Sequence, residues 1–176
     1  MHEPHCELGL PAETSRLVFR RMDEGDAPFV GEMLADPTHL RFCPKVYADL
    51  DARGWIRLQL ERYERDGHGL WLAVEKNGRP VGQAGLVQQC VDRAMEVEVA
   101  FMIHAPHRRR GLATEAALAM RDLAFVHFGR HRVISLIHPD NRPSQGVALR
   151  LGMALEGWTF FGETEHLVYA VPRGAA

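Results

Sequence analysis

Eight consecutive residues, His107-Arg108-Arg109-Arg110-Gly111-Leu112-Ala113-Thr114, set three arginines and two small residues between an alternating apolar stretch and a long amphipathic one. Where a strand turns directly into a helix, the first N–H groups of the helix lack intrahelical acceptors and converge on one spot, which suits an anion. Gly111 and Ala113 leave that backbone unobstructed, and Arg108, Arg109 and Arg110 surround it with positive charge. A pyrophosphate fits this description. So does a solvated basic turn ahead of a helix, and spacing alone does not choose between the two. The GxxxxGK[ST] loop and the GxGxxG fingerprint are both absent, which weakens nucleotide readings.

Proton chemistry has fewer carriers. Glu96 and Glu98 share one face of an alternating segment, with Glu98 three residues before Phe101. Glu98 is the first choice for a general base; a solvated strand edge is the ordinary alternative for both carboxylates. Ten histidines form neither HExxH nor a close His/Cys cluster, and His104 and His107 flank Pro106, so no metal is expected. Cys6, Cys43 and Cys90 are widely spaced and read as packing residues rather than a disulfide framework, metal knuckle or nucleophile.

These groups need a scaffold, and 176 residues with 46% hydrophobic content suffice for one domain. A net charge of -2, from 21 basic and 23 acidic residues, gives no general attraction to nucleic acid or anionic lipid. Phe42, Trp55 and Trp71 therefore read as core or groove residues, not base-stacking platforms. No apolar run approaches the roughly 20 residues of a membrane span, and the N-terminus lacks a basic-then-apolar signal, so a soluble, cytoplasmic protein is expected.

Residues 1–14 read as an irregular leader before a single domain over 15–176. A strand is expected over Arg16 to Met22, then a helix from Asp26-Ala27-Pro28 to about Asp36, where Pro37 stops it. Asp49 and Asp51 can cap a second helix carrying Trp55, Leu58 and Tyr63, closed by Gly67. Leu70 to Glu75, the Asn77-Gly78 turn and Pro80 to Val87 make a hairpin. A strand over Met95 to Ile103 and a helix over Gly111 to Phe128 bracket the basic loop. Beyond them come a strand at Val133 to Ile137, a helix from Pro143 to Leu151-Gly152, and strands at Trp158 to Phe161 and Leu167 to Val171.

Arg108-x-x-Gly111-x-Ala113 matches the [Q/R]-x-x-G-x-[G/A] motif of the GCN5-related N-acetyltransferases (GNAT). Over about 14–171 the chain resembles the branch containing the RimJ and RimL ribosomal-protein acetyltransferases. The matching segments are Thr14 to Arg20, Asp36-Pro37 with Arg41-Phe42, Gly82-Gln83-Ala84-Gly85-Leu86, Gly111 to Ala116, and Asn141-Arg142-Pro143-Ser144 through Leu151-Gly152-Met153. The resemblance implies an α/β fold with a mixed, mostly antiparallel central sheet, splayed fourth and fifth strands, and helices on both faces. It implies acetyl-CoA as co-substrate, with the pyrophosphate on Arg109, Arg110, Gly111, Leu112, Ala113 and Thr114 beside Arg108. The pantetheine or thioester would lie along Phe101, Met102 and Ile103.

By the same resemblance Asn141 contacts the pantetheine arm and Ser144 protonates the departing thiolate; a helix cap and a first-turn serine are their ordinary alternatives. The implied acceptor is an amine, on a protein N-terminus or a small molecule, in a groove formed by residues 36–60 and 157–170; Arg41, Glu163 and Glu165 are candidate contacts there, with ordinary surface charge as their favoured alternative. A homodimer fits, and a non-catalytic acyl-CoA sensor or partner-binding module on this fold is the alternative to an enzyme. Many relatives place a glycine mid-strand where this chain has Ala100, and an aromatic residue and a second glycine where it has His107 and the arginines.

Overall fold

The computed structural model of the chain describes residues 9–174. The strands are β1 (Leu17–Arg20), β2 (Leu70–Glu75), β3 (Pro80–Val91), β4 (Ala94–Ile103), β5 (Arg132–Ile137), β6 (Ala154–Phe161) and β7 (Thr164–Pro172). Among the described residues they form one sheet in the order β1-β2-β3-β4-β5-β7-β6, antiparallel at every junction except β4 with β5. Five α-helices are interspersed among the described residues: α1 (Ala27–Leu34), α2 (Pro37–Phe42), α3 (Ala52–Asp66), α4 (Leu112–Val126) and α5 (Arg142–Arg150).

A side-chain period of two gives the sheet two apolar faces. Leu17, Trp71, Ala73, Val97, Val99 and Val133 pack with Leu112, Ala116 and Met120 of α4 and Ala148 of α5. Leu70, Leu72, Val74 and Val87 face the other way, against Val30 of α1 and Trp55 and Ile56 of α3. Helices therefore cover both faces, as the resemblance implied. Leu72, Leu86, Leu112 and Ile134 are fully buried, each contributing on the order of 1.5–3 kcal/mol from apolar surface removed from water.

The structure departs from the expected elements where a residue has two uses. Pro37 begins α2 instead of only ending α1, because proline suits the first helical position and Asp36 accepts from the N–H groups of Thr38 (2.9 Å) and His39 (3.1 Å). β3 runs past Val87 to Val91 despite Gln88 and Gln89, since Gln89 turns inward between buried Val87 and Val91. β6 begins at Ala154, earlier than expected. Of the expected leader, residues 1–8 lie outside the described residues and 9–14 carry neither helix nor strand.

Candidate active site

The functional geometry begins where β4 and β5 part. β4 stays paired with β3 from Val91↔Ala94 to Gly82↔Ile103, and a Cβ at Gly82 would collide with the Met102 carbonyl. Against β5 its pairing is limited to Glu98 opposite Ile134. Beyond that point side chains replace the missing ladder bonds: Ser135 Oγ donates to the Val99 carbonyl (2.8 Å), and the Leu136 N–H donates to Glu98 Oε1 (3.2 Å). Because Val99 directs its carbonyl toward β5, strand alternation turns the N–H and C=O of Phe101 the same way, into the open fork.

Glu98 is thus a buried bracket between strands. Its second oxygen accepts from Gln89 Nε2 at 2.7 Å. Burial raises its pKa above the ordinary carboxylate value, against the opposing effects of the Gln89 and Leu136 hydrogen bonds and the charge of Arg62. Glu96, the other sequence candidate, pairs with Arg132 (3.2 Å).

At the loop, Arg109 and Gly111 adopt positive φ angles of 61° and 79°, and Leu112 opens α4. The first intrahelical bond runs from the Glu115 N–H to the Gly111 carbonyl (3.1 Å), so the N–H groups of Leu112, Ala113 and Thr114 precede the ladder. The arginine side chains have other partners. Arg108 Nε donates to the Ile103 carbonyl (2.9 Å) and its Nη2 to Asp36 (3.0 Å), tying the loop to the cap of α2. Burial works to raise the Asp36 pKa, but this guanidinium and the α2 N–H groups prevail and lower it. Arg110 is drawn to Glu75 (2.5 Å), while its carbonyl accepts from Arg16 (2.7 Å). Arg109 has no ion pair among the described residues.

Fork and loop open on one cavity of about 1360 Å³. Its walls include Glu98, Phe101, Met102, Ile103, Arg108, Arg109, Gly111, Leu112, Ala113, Thr114, Asn141 and Ser144. Of the residues singled out from the sequence, Arg110 and Glu96 are missing from these walls, held by Glu75 and Arg132, and so are the expected acceptor contacts Arg41, Glu163 and Glu165. Asn141 caps α5 by accepting from the Ser144 N–H (3.3 Å), and Ser144 itself is half-buried on the cavity wall.

The remaining wall was mostly not singled out from the sequence. Arg62 of α3, 6% exposed, donates to Tyr47 Oη (2.8 Å). Phe42 packs on His138 (5.3 Å between centroids), and Phe161 on His166 (5.8 Å). Cys43 lies in the same wall, its thiol pushed up by burial and so kept protonated. Arg41 pairs with Asp140 and Lys45 with Glu163, both at 3.4 Å; Glu165 is exposed. Tyr47, Arg62, His138 and His166 carry no local motif, and only strand register and helix packing could have brought them forward.

Comparison with known proteins agrees with this geometry. The family described as Acetyltransferase (GNAT) domain matches residues 16–154. The chain is 30% identical over 142 residues to the Bacillus subtilis protein YkkB, covering 80% of this chain and 83% of YkkB. It is similar in structure to the acetyltransferase from Agrobacterium tumefaciens, with a TM-score of 0.79, 28% identity, and coverage of 93% of this chain and 94% of that one. Mycobacterium smegmatis RimJ, solved in complex with CoA-disulfide, shares the fold at a TM-score of 0.73 and 21% identity, covering 95% of this chain and 90% of its own. The alternating two-faced sheet, its β4–β5 fork and the glycine-turned loop at α4 are accordingly those of a protein that belongs to the GNAT acetyltransferase family.

Proposed function

We propose that the protein transfers an acetyl group from acetyl-CoA to a primary amine by direct attack in a ternary complex, the acceptor being a protein N-terminus or a small amine. The observation carrying this reading is the continuity of one cavity from the free N–H groups of α4, through the Phe101 peptide in the fork, to the aromatic chamber beyond. The α4 N-terminus with Gly111 would hold the pyrophosphate, backbone donors binding an anion without relying on side-chain charge. The Phe101 peptide, with Met102 and Ile103, would hold the pantetheine arm, and Asn141 would contact it from α5. Acetyl-CoA supplies the activated acyl group; a peptide N–H beside its carbonyl stabilises the oxyanion that forms on attack. Ser144 gives its proton to the sulfur that leaves.

The chamber favours an acceptor with one amine over a polycation. The carboxylates on the cavity wall are Glu98, committed to the fork, and Glu115, bound by Thr14 and Arg16. An α-amine, with a reference pKa of about 8, also arrives with an appreciable neutral fraction at pH 7, unlike lysine at about 10.4.

A single-turnover assay with acetyl-CoA tests the reading across peptides of varied first residue, amino acids, polyamines and aminoglycosides. CoA release on peptide or small monoamine acceptors is expected. Tight acetyl-CoA binding with no release on any acceptor overturns the reading in favour of an acyl-CoA sensor on the same fold.

A further inference from the structure

We propose that His166 takes the proton that the attacking amine loses. This inference rests on the acetyltransferase reading above. It starts from register: β5 and β7 pair as far as Ile137↔Leu167, so the next opposed positions are His138 and His166, whose ring centroids are 6.1 Å apart. On its other side His166 faces Thr159 of β6. All three side chains lie on the sheet face opposite α4 and α5, the face that also carries Glu98 and Leu136.

The hydrogen bonds fix which nitrogen can do what. His166 Nδ1 lies 3.0 Å from the Thr164 carbonyl, which can only accept, so Nδ1 carries the hydrogen. In the neutral ring Nε2 is then left with its lone pair. His138 is set the opposite way: its Nδ1 accepts from the Asp140 N–H at 3.1 Å, which puts its hydrogen on Nε2. The two imidazoles therefore offer one acceptor and one donor on the wall of the same chamber. Glu98 has both oxygens engaged in holding the fork. With the residue only 2% exposed, burial lowers the pKa of His166 below the ordinary histidine value, and nearby His138 acts in the same direction against the Thr164 carbonyl. The ring is thus neutral and ready to accept at pH 7.

The step balances without another reactant. The lone pair of the neutral amine forms the N–C bond, and the nitrogen gives one proton to His166 Nε2. The C–S bond breaks with its electron pair going to sulfur, which takes a proton from Ser144 Oγ; the serine is reprotonated from solvent, and His166 returns its proton there. Several titratable or charged groups adjoin this site. Just past the end of β5 it is His138; Glu98 of β4, His39 of α2 and Arg62 of α3 line the same cavity, and Thr159 of β6 reaches Asp92 at 3.2 Å.

His166→Asn is the informative variant, because its amide can keep the donation to Thr164 while no group replaces Nε2. At pH 7 and saturating amine, kcat should fall about 100-fold with acetyl-CoA Kd unchanged. The parent's kcat should decline on acidification with an apparent pKa below about 6.5. That limb should survive Glu98→Gln and vanish in His166→Asn. Imidazole added to His166→Ala should restore part of the rate.

A kcat within threefold of the parent in His166→Asn, or an acid limb that persists in it, overturns the assignment. So does a parent kcat that shows no decline on acidification at any pH at which the protein stays folded, a measurement needing no variant. A parent that releases CoA on no amine brings down the acetyltransferase reading, whereas an active parent with an equally active His166→Asn removes only the histidine.

Discussion

The loop at residues 107–114 and the chamber around His138 and His166 are parts of one cavity built in opposite ways. The loop works with backbone: N–H groups left free by the start of α4, a left-handed Gly111, and arginines of which two are committed to Asp36 and Glu75. The chamber works with side chains, contributed by α2, α3, β5, β6, β7 and the segment between α2 and α3. Backbone donors present nearly the same surface whatever residues carry them, so the loop suits an invariant cofactor. Side chains can be exchanged one by one without disturbing the sheet beneath, which is the physical basis for an acceptor preference that varies on a constant fold.

This contrast can be broken most sharply at Gly111. Glutamate there adds bulk and negative charge at the proposed pyrophosphate site, at a φ of 79°. Acetyl-CoA affinity should fall at least tenfold, about 1.4 kcal/mol, by calorimetry. Gly111→Ala, which adds backbone strain alone, should cost less, and unchanged affinity in folded Gly111→Glu would put the cofactor elsewhere.

The fork joins the two regions, and Glu98 tests whether it is a bracket. Glu98→Ala leaves the Leu136 N–H and the Gln89 amide without their acceptor and should cost about 1–3 kcal/mol in chemical denaturation. Glu98→Gln can keep both bonds if the Gln89 amide turns over, so kcat should stay within about threefold of the parent. A larger loss in a stable Glu98→Gln would return the base role to Glu98. The sign of its pKa shift adds a check. A carboxyl raised by burial contributes stability below its unfolded pKa of about 4.3 and loses it as pH rises through the folded value. Glu98→Gln should therefore be no less stable than the parent at pH 7.

Ser144→Ala should lower kcat between about three- and tenfold with acetyl-CoA Kd unchanged, separating turnover from binding. A fall in affinity with kcat intact would make Ser144 a binding residue. The smallest effect belongs to Arg109→Ala. Because the guanidinium is exposed and its charge screened, acetyl-CoA affinity should fall about twofold at low salt and be indistinguishable from the parent at 1 M salt. A tenfold loss would show that side-chain charge, not the backbone, dominates the loop.

Sequence reading reached furthest where the determinants are local. Strand, loop and helix around residues 95–128 follow from alternation, Pro106 and Gly111, and the unpaired N–H groups at the start of α4 are a property of those consecutive residues. It reached less far where one residue serves two purposes. Pro37 ends one helix and begins another, and Asp36 caps α2 while holding Arg108. Gln89 looks like the polar end of a strand, yet it continues β3 and bonds to Glu98.

The residues alone thus determined a two-faced α/β chain with a basic, glycine-turned loop between β4 and α4, because helix starts and strand alternation are set by near neighbours. Tertiary structure decided which arginines are free, that Glu98 holds the fork, and that His138 and His166 face each other with complementary nitrogens. Those outcomes depend on the register of β7 between β5 and β6 and on packing between distant elements. A shift of one residue would turn every side chain of a strand to the opposite face, and no local pattern encodes that choice.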